Sequence, residues 1–382
     1  MKTLGVGVIG FGFIGKVHTY GHLNIPLFFD PAPVRTRLVG VATSRSETAQ
    51  KAVEQAGFTF GTTDWRELIQ REDIDIIHIC TPNDQHCEQL LAAMAAGKHI
   101  YCDKPLVVHP HEIEAIEQAL PQWAGKGQVT LQNRFSPPAL RAKQLITQGF
   151  VGDVTSLKAD YLHSGSVDPD KKMGWKQLKS AGGGVLQDLG SHLLDLVDWM
   201  AGPVAEALTV NRVLYPNRPG PDGVRVPVEA EDQTLMLVRL ADGGVGTLEA
   251  TKIATGAEDE LRFEICGTRG ALRYNSMNPN YLEAYSLDEP ERPLGGTRGW
   301  NRIATVQRYD PPAGFPGPKF SYGWIRMHMQ CLYAFLNAIA EDTQPDPDIR
   351  RGLHLQRMLA AAAESAQTGQ WMRMPQPGLK QE

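Results

Sequence analysis

Residues 4–23 constrain this chain more than any other stretch. Leu4 to Ile9 sets valine and isoleucine between glycines, the pattern of a short buried strand. It runs directly into Gly10-Phe11-Gly12-Phe13-Ile14-Gly15, and a helix is predicted from there to about Leu23. Strand, Gly-x-Gly-x-x-Gly, helix is the order that a dinucleotide-binding turn requires. Gly10 would permit the tight turn, Gly12 would let the backbone approach a pyrophosphate, and Gly15 would let the helix pack on the strand. The amides of the helix N-terminus, with Phe13 and Ile14 in its first turn, would face the negative charge.

The same alternation continues. Leu38 to Ala42 reads as a second strand before a helix from Glu47 to Gly57. Asp75 to Cys80 reads as a third strand, before Thr81-Pro82-Asn83 and a helix from Gln85 to Ala96. Lys98 to Cys102 follows as another strand, then Asp103-Lys104-Pro105 and a helix from Pro110. Strands and helices alternating at this pitch predict a doubly wound parallel sheet. Ligands bind beyond the carboxyl ends of such strands. Gly10 to Gly15, Ser44-Arg45, Thr81 to Asn83 and Asp103-Lys104 are therefore expected to converge. After the second strand, Ala42-Thr43-Ser44-Arg45-Ser46 offers hydroxyls and an arginine but no carboxylate. An acid there would suit the ribose of NAD and an arginine a 2′-phosphate, so the choice between NAD and NADP tilts to NADP.

Beyond residue 133 the pattern changes. Pro137-Pro138 opens a helix to Gln148, and Val154 to Tyr161 reads as a strand. Gln233 to Leu240, Gly244 to Thr251 and Glu260 to Cys266 alternate apolar and polar residues, predicting an antiparallel meander with one open face. Such a face suits subunit pairing, so a homodimer or homotetramer is expected. Residues 277–323 are rich in proline and glycine and read as irregular. Helices are predicted at His328 to Ala340 and Gly352 to Ser365. With 382 residues, two domains are expected, cut at 1–133 and 134–382. A net charge of −5 gives no broad basic surface for nucleic acid or a polybasic membrane anchor. No run approaches a membrane span. Five scattered cysteines suit reduced thiols in a cytoplasm better than a disulfide framework.

The second half also holds Gly182-Gly183-Gly184-Val185-Leu186-Gln187-Asp188-Leu189-Gly190-Ser191-His192. If helical, Asp188 and His192 share a face one turn apart, behind a backbone bare of side chains. A plain helix pair is the bland alternative, with Leu189, Leu193, Leu196 and Met200 as the adjacent buried stripe. An imidazole near neutral pH can take a hydroxyl proton, a carboxylate can orient it, and Lys104 can stabilise a developing alkoxide. His163 and Trp175 precede the glycines and read equally as pocket or core. His18, His22 and His86 read as packing or surface positions, and the scattered His99, Cys102, His109 and His111 match no metal framework, so no metal is expected.

Taken together, the GxGxxG turn, the Thr-Pro-Asn loop, the Lys104-Pro105 pair and the glycine triplet before Asp188-x-x-x-His192 resemble the Gfo/Idh/MocA oxidoreductases, across essentially the whole chain. Phe28-Phe29 and Asn133-Arg134 are most similar to bacterial sugar and cyclitol dehydrogenases of that family. The resemblance implies an α/β protein with an N-terminal Rossmann domain and a C-terminal α+β domain bearing a large open, mainly antiparallel sheet. It implies NAD(P)-dependent hydride transfer at a carbinol or carbonyl carbon of a sugar, cyclitol or polyol. Lys104, Asp188 and His192 fall on the catalytic positions. Gly10, Gly12, Phe13, Ile14, Gly15, Ser44, Arg45, Thr81, Pro82, Asn83, His86, Asp103, Lys104 and Asn133 fall on the cofactor side. Arg134, His163 and Trp175 join Lys104, Asp188 and His192 on the substrate side. Asp103 departs from the family's usual glutamate. A catalytically silent NAD(P)-binding regulator of the same fold is the alternative reading.

Overall fold

The computed structural model describes residues 2–220 and 222–376. The chain begins as a strand-and-helix alternation: β1 (Thr3–Ile9), α1 (Phe13–Phe28), β2 (Arg35–Ala42), α2 (Ser46–Ala56), β3 (Phe60–Thr62), α3 (Trp65–Gln70), β4 (Ile76–Ile79), α4 (His86–Ala95), β5 (His99–Cys102), α5 (Pro110–Ala119) and β6 (Gly127–Val129). All six strands are parallel and lie in the order β3-β2-β1-β4-β5-β6. Both faces of this sheet are covered, so its strands are runs of fully buried valine and isoleucine such as Ile76, Ile77 and Ile79. The order reverses between β1 and β4, which opens a crevice at their carboxyl ends.

Helix α1 runs one turn past Leu23, with Pro26 inside it. It ends on Phe29, which is fully buried and stacked on Tyr333 at 4.0 Å. A polar seam lies beneath it. His22 Nε2 is 2.7 Å from His78 Nε2, and His78 Nδ1 is 3.2 Å from His18 Nδ1, which also contacts Cys80 Sγ. His18, His22 and His78 are buried, so His18 and His22 are packing residues rather than surface ones. Burial lowers all three imidazoles from their ordinary value, His22 to about 3, and neighbouring histidines push His18 and His78 further down.

Next come α6 (Pro137–Thr147), β7 (Val154–Leu162), α7 (Ser191–Ala201), β8 (Val204–Arg212), and a small ladder of β9 (Asn217–Pro219) with β10 (Arg225–Pro227). The chain then forms β11 (Gln233–Leu240), β12 (Val245–Thr251), β13 (Glu260–Gly267), β14 (Gly270–Asn275), β15 (Tyr281–Ser286) and β16 (Asn301–Ala304). It finishes with α8 (Trp324–Ala340), α9 (Ile349–Thr368) and β17 (Met372–Arg373). Nine strands form one mostly antiparallel sheet ordered β16-β15-β14-β13-β7-β12-β11-β8-β17. The predicted meander is corrected here. β7 sits between β12 and β13, parallel to the first and antiparallel to the second. Residues 277–323 are also less irregular than expected, since they contribute β15 and β16.

Among the described residues two compact units result: residues 2–135 with 309–318 and 323–353, and residues 136–308 with 319–322 and 354–376. A single cut at 133 therefore differs from the structure, because two later segments, 309–318 and 323–353 with α8 in it, return to the first unit. Tyr309 donates to the Phe135 carbonyl, and Phe29 bridges Ala313, which ties that return to the Rossmann sheet.

Candidate active site

In the first unit the glycines take three different roles. Gly10 has φ +91°, and a Cβ there would meet the Cys80 carbonyl oxygen at 2.5 Å. A Cβ on Gly15 would drive into the Gly10 carbonyl oxygen, so the helix packs on the turn only without one. At Gly12, by contrast, nothing lies within 4 Å of where a Cβ would stand. Gly12 is the N-cap of α1 and supplies no side-chain cap, so the first-turn amides look for an outside acceptor. An open, uncapped helix N-terminus fits a pyrophosphate. Phe13 stands exposed beside this turn, its ring 5.4 Å from that of Trp324.

The neighbouring loops are brought together by the sheet. Gly10 N donates to the Ala42 carbonyl, Cys80 N to that of Ile9, and Asp103 N to that of Ile79. The turns after β1, β2, β4 and β5 therefore share one edge, as expected. Ser44 and Arg45 are exposed on the β2–α2 turn, where Thr43 Oγ1 meets Thr48 Oγ1 at 2.7 Å. Thr81 donates to Gln89, Asn83 is buried, and Asp103 and Lys104 are half-buried; the Lys104–Pro105 peptide is cis.

Two assignments change. His86 is fully buried, with Nδ1 3.0 Å from the Pro105 carbonyl oxygen and Nε2 3.0 Å from that of Thr81. It clamps the loops after β4 and β5 together, with its ring enclosed between them. Arg134 is buried on the turn Gln132–Phe135, beside buried Asn133, and its Nη1 donates to Asp346 at 3.1 Å. Its guanidinium is spent on holding the chain together.

In the second unit, a π-helical turn over Leu186–Gly190 leads into α7 and carries Asp188, with His192 buried in the first turn of α7. Leu189, Leu193, Leu196 and Met200 form the buried stripe. Asp188 Oδ2 receives two ammonium groups, Lys176 and Lys252, each at 2.8 Å. They compensate its charge, and no spacing rule pointed to either. The glycine triplet does not leave the open backbone expected of it. All three residues are buried, and a Cβ on Gly183 would meet the Lys176 carbonyl oxygen at 2.5 Å. At Gly184, where φ is +111°, it would drive into the Glu231 carboxylate. Glu231 Oε1 accepts from Leu186 N at 3.0 Å, closing the start of the helical segment. Burial raises that carboxyl above its usual range despite the hydrogen bond. The glycines thus make room for protein.

His163 follows β7 and is half-buried; its Nε2 lies 2.8 Å from Asp259 Oδ1. The Tyr161 ring is edge-on to both His163 (5.2 Å) and His192 (5.7 Å). Burial raises the Asp259 carboxyl, but hydrogen bonds from His163 and Tyr161 and the charges of His163 and His192 outweigh it, holding it below the usual range. Trp175 is half-buried with Lys176 Nζ 5.6 Å over its ring. The open face of the large sheet carries a separate groove of about 360 Å³, lined by ion-paired residues such as Asp160 with Arg262 and Arg273 with Glu283. It contains none of the residues singled out for chemistry.

A 3-2-1-4-5-6 parallel sheet with an uncapped glycine turn at its switch point defines a dinucleotide-binding protein, and a nine-stranded sheet forms the second unit. The chain belongs to the Gfo/Idh/MocA oxidoreductase family: residues 4–129 match its NAD-binding Rossmann fold and residues 143–374 its C-terminal alpha/beta domain. Levoglucosan dehydrogenase of Pseudarthrobacter phenanthrenivorans is 32% identical over 98% of this chain and 99% of its own length. Inositol 2-dehydrogenase of Rhizobium meliloti is 26% identical over 76% of this chain and 81% of its own. Among solved structures, levoglucosan dehydrogenase in complex with NADH and L-sorbose superposes with a TM-score of 0.92 at 33% identity, covering 98% of this chain and all of that one. The chain is thus an oxidoreductase with an NAD-binding Rossmann domain. Among the described residues no helix is long and apolar enough to cross a membrane.

Proposed function

We propose that this oxidoreductase oxidises a secondary alcohol of a neutral sugar, anhydrosugar or cyclitol, and reduces the matching ketone in reverse. The observation that carries the reading is the bare, uncapped N-terminus at Gly12, together with kinship to dehydrogenases of levoglucosan and inositol. When bound, the nicotinamide supplies the hydride acceptor or donor. The chain's own residues handle the proton and the charge. His192 takes the hydroxyl proton, Asp188 orients the imidazole and stabilises its charged form, and Lys104 stabilises the alkoxide oxygen. Lys176 and Lys252 hold the Asp188 carboxylate in place. Asn83, Asp103 and Asn133 are proposed to contact the cofactor alongside the glycine turn, and Trp175 to face the sugar. Ser44 and Arg45 support acceptance of NADP as well as NAD, since hydroxyls and a guanidinium can receive a 2′-phosphate.

The open sheet face supports a homo-oligomer. Val210, Leu235, Leu237 and Val245 are exposed aliphatics on β8, β11 and β12. Beside them Lys158, Glu264, Arg273, Glu283 and Arg302 alternate in sign across five strands. An alternating row of this kind can pair with a second copy of itself.

The test is cofactor reduction by the purified protein with levoglucosan, D-glucose, myo-inositol and scyllo-inositol, with NAD and NADP in parallel. Turnover of at least one of them is expected. Tight cofactor binding with no reduction by any neutral polyol would refute the reading.

A further inference from the structure

The connection from β7 to the glycine triplet carries Trp175 and Lys176. Among the described residues its helical structure amounts to two single 3-10 turns, Trp175–Gln177 and Lys179–Ala181. Backbone groups in such a segment need partners from elsewhere in the fold. One side rests on the glycines, where Gly184 N donates to the Lys176 carbonyl and Gly183 N to that of Leu178. The other side is held by β9 and the residues before it. Arg218 Nη2 donates to the Ser166 carbonyl and Nη1 to that of Asp168, each at 2.6 Å. The Tyr215 hydroxyl donates to the Val167 carbonyl at 3.0 Å, and Met173 N donates to the Pro219 carbonyl at 2.8 Å. Trp175 and Lys176 follow almost directly on this last anchor.

The β9–β10 ladder is built around that contact. Among its six described residues Arg218 alone is buried, at 1% exposure. So short a pair of strands does not stand by itself in water. A buried guanidinium is costly unless its charge and its donors are matched. Here buried Asp232 lies 4.0 Å away, the Tyr215 ring lies 5.1 Å from the guanidinium, and the two carbonyls meet its planar fork.

We infer that Arg218 is a positioning residue of the proposed polyol site: it seats residues 166–173 and through them sets where Trp175 and Lys176 stand beside Asp188. The inference rests on that functional reading and adds to it a residue that acts through the connection. A sugar that binds only the seated connection loses apparent affinity in proportion to the fraction seated. With about one connection in ten seated, KM rises about tenfold, while the bound complex turns over as before.

The experiment uses the full-length protein and its Arg218→Met, Arg218→Lys and Tyr215→Phe variants. The substrate is the polyol with the highest turnover among levoglucosan, D-glucose, myo-inositol and scyllo-inositol. Arg218→Met is expected to raise its KM about tenfold or more, with kcat changed less than about threefold and NADH affinity unchanged. Arg218→Lys, which can reach one carbonyl, should recover part of that rise. Tyr215→Phe keeps the ring and removes one hydrogen bond, so it should fold normally and raise KM about two- to fivefold. A plain structural staple would instead reduce the fraction of active enzyme, cutting kcat at constant KM. That result would overturn the inference. So would an unchanged KM in both Arg218→Lys and Tyr215→Phe, which decide the matter if Arg218→Met does not fold.

Hydrogen exchange gives a readout that needs no turnover. In Arg218→Met, peptides over 164–179 should exchange at least about tenfold faster, while those from β11 and β12 keep their protection. A wild type that reduces no cofactor sinks the dehydrogenase reading, and faster exchange confined to 164–179 still supports the seating by Arg218. Active wild type with 164–179 equally protected in the variant sinks the seating and keeps the dehydrogenase.

Discussion

The buried histidines beneath α1 make acid the weak point of the first unit. His18, His22 and His78 are neutral and enclosed, and burial holds each below its ordinary value of 6.5, His22 at about 3. An unfolded chain binds protons at these positions as pH falls through 6.5, while the folded chain does not. Their contribution to stability is therefore complete above that pH and is lost below it, down to the folded value. One pH unit below 6.5, at pH 5.5, His22 costs about 1.4 kcal/mol, and His18 and His78 act in the same direction. Another unit brings the His22 loss to about 2.7 kcal/mol, a large share of the stability of an ordinary domain. His99, also lowered mainly by burial, adds to the same side, whereas Glu231, raised by burial, works against it. Asp73, Asp259 and Asp342 are lowered carboxylates whose window opens only below 3.8, outside the interval. Urea unfolding at pH 7.5 and 5.5, with hydrogen exchange read on peptides from α1 and β4, measures the loss. His22→Gln keeps a partner for Thr36 and His78 and removes one titrating ring, so its loss should be about 1.4 kcal/mol smaller. A wild type that loses under about 1 kcal/mol over that interval would refute the reasoning. So would a variant with the same slope.

Three further expectations follow from the site. Gly12→Ala should leave the melting temperature unchanged and weaken NAD(H) binding at least about tenfold, as loss of the close pyrophosphate approach implies; Gly15→Ala, whose Cβ meets the Gly10 carbonyl, should destabilise the fold itself. Calorimetry and cofactor titration on the pair separate the two effects. Lys104→Ala and His192→Ala should each lower kcat by about 10² or more with the circular dichroism spectrum intact, and near-normal turnover would remove the residue from the proposed chemistry. Leu237→Glu places a charge on the exposed aliphatic strip and should shift sedimentation toward monomer, whereas an unchanged assembly would move the pairing surface elsewhere.

What could be read from the sequence follows the range over which each interaction acts. The turn from Gly10 to Gly15 was legible because its constraints are local: a positive φ, a helix start, a close packing step. The apolar runs of β1, β4 and β5 were legible because a sheet covered on both faces needs them. The place of β7 between β12 and β13 was not, since pairing partners leave no mark in a strand's own alternation. Asp259 lies 96 residues from His163, and Glu231 lies 45 from Leu186. No spacing rule reaches that far. The glycine triplet shows the opposite hazard, because a missing side chain can make room for a ligand or for Glu231, and only the fold distinguishes them.

Strand β7 carries two surfaces on one backbone. Lys158 and Asp160 point to the open face, with Arg262 holding Asp160 at 2.7 Å, while Tyr161 turns the other way to the histidines. Inserting or deleting one residue in this strand would send each set to the wrong side. Residues of the open face and of the pocket wall can each be exchanged in place, but the length of the strand beneath them cannot drift. Variation in length is therefore free to accumulate in the connection from His163 to Lys179, which can lengthen or shorten without turning the sheet over.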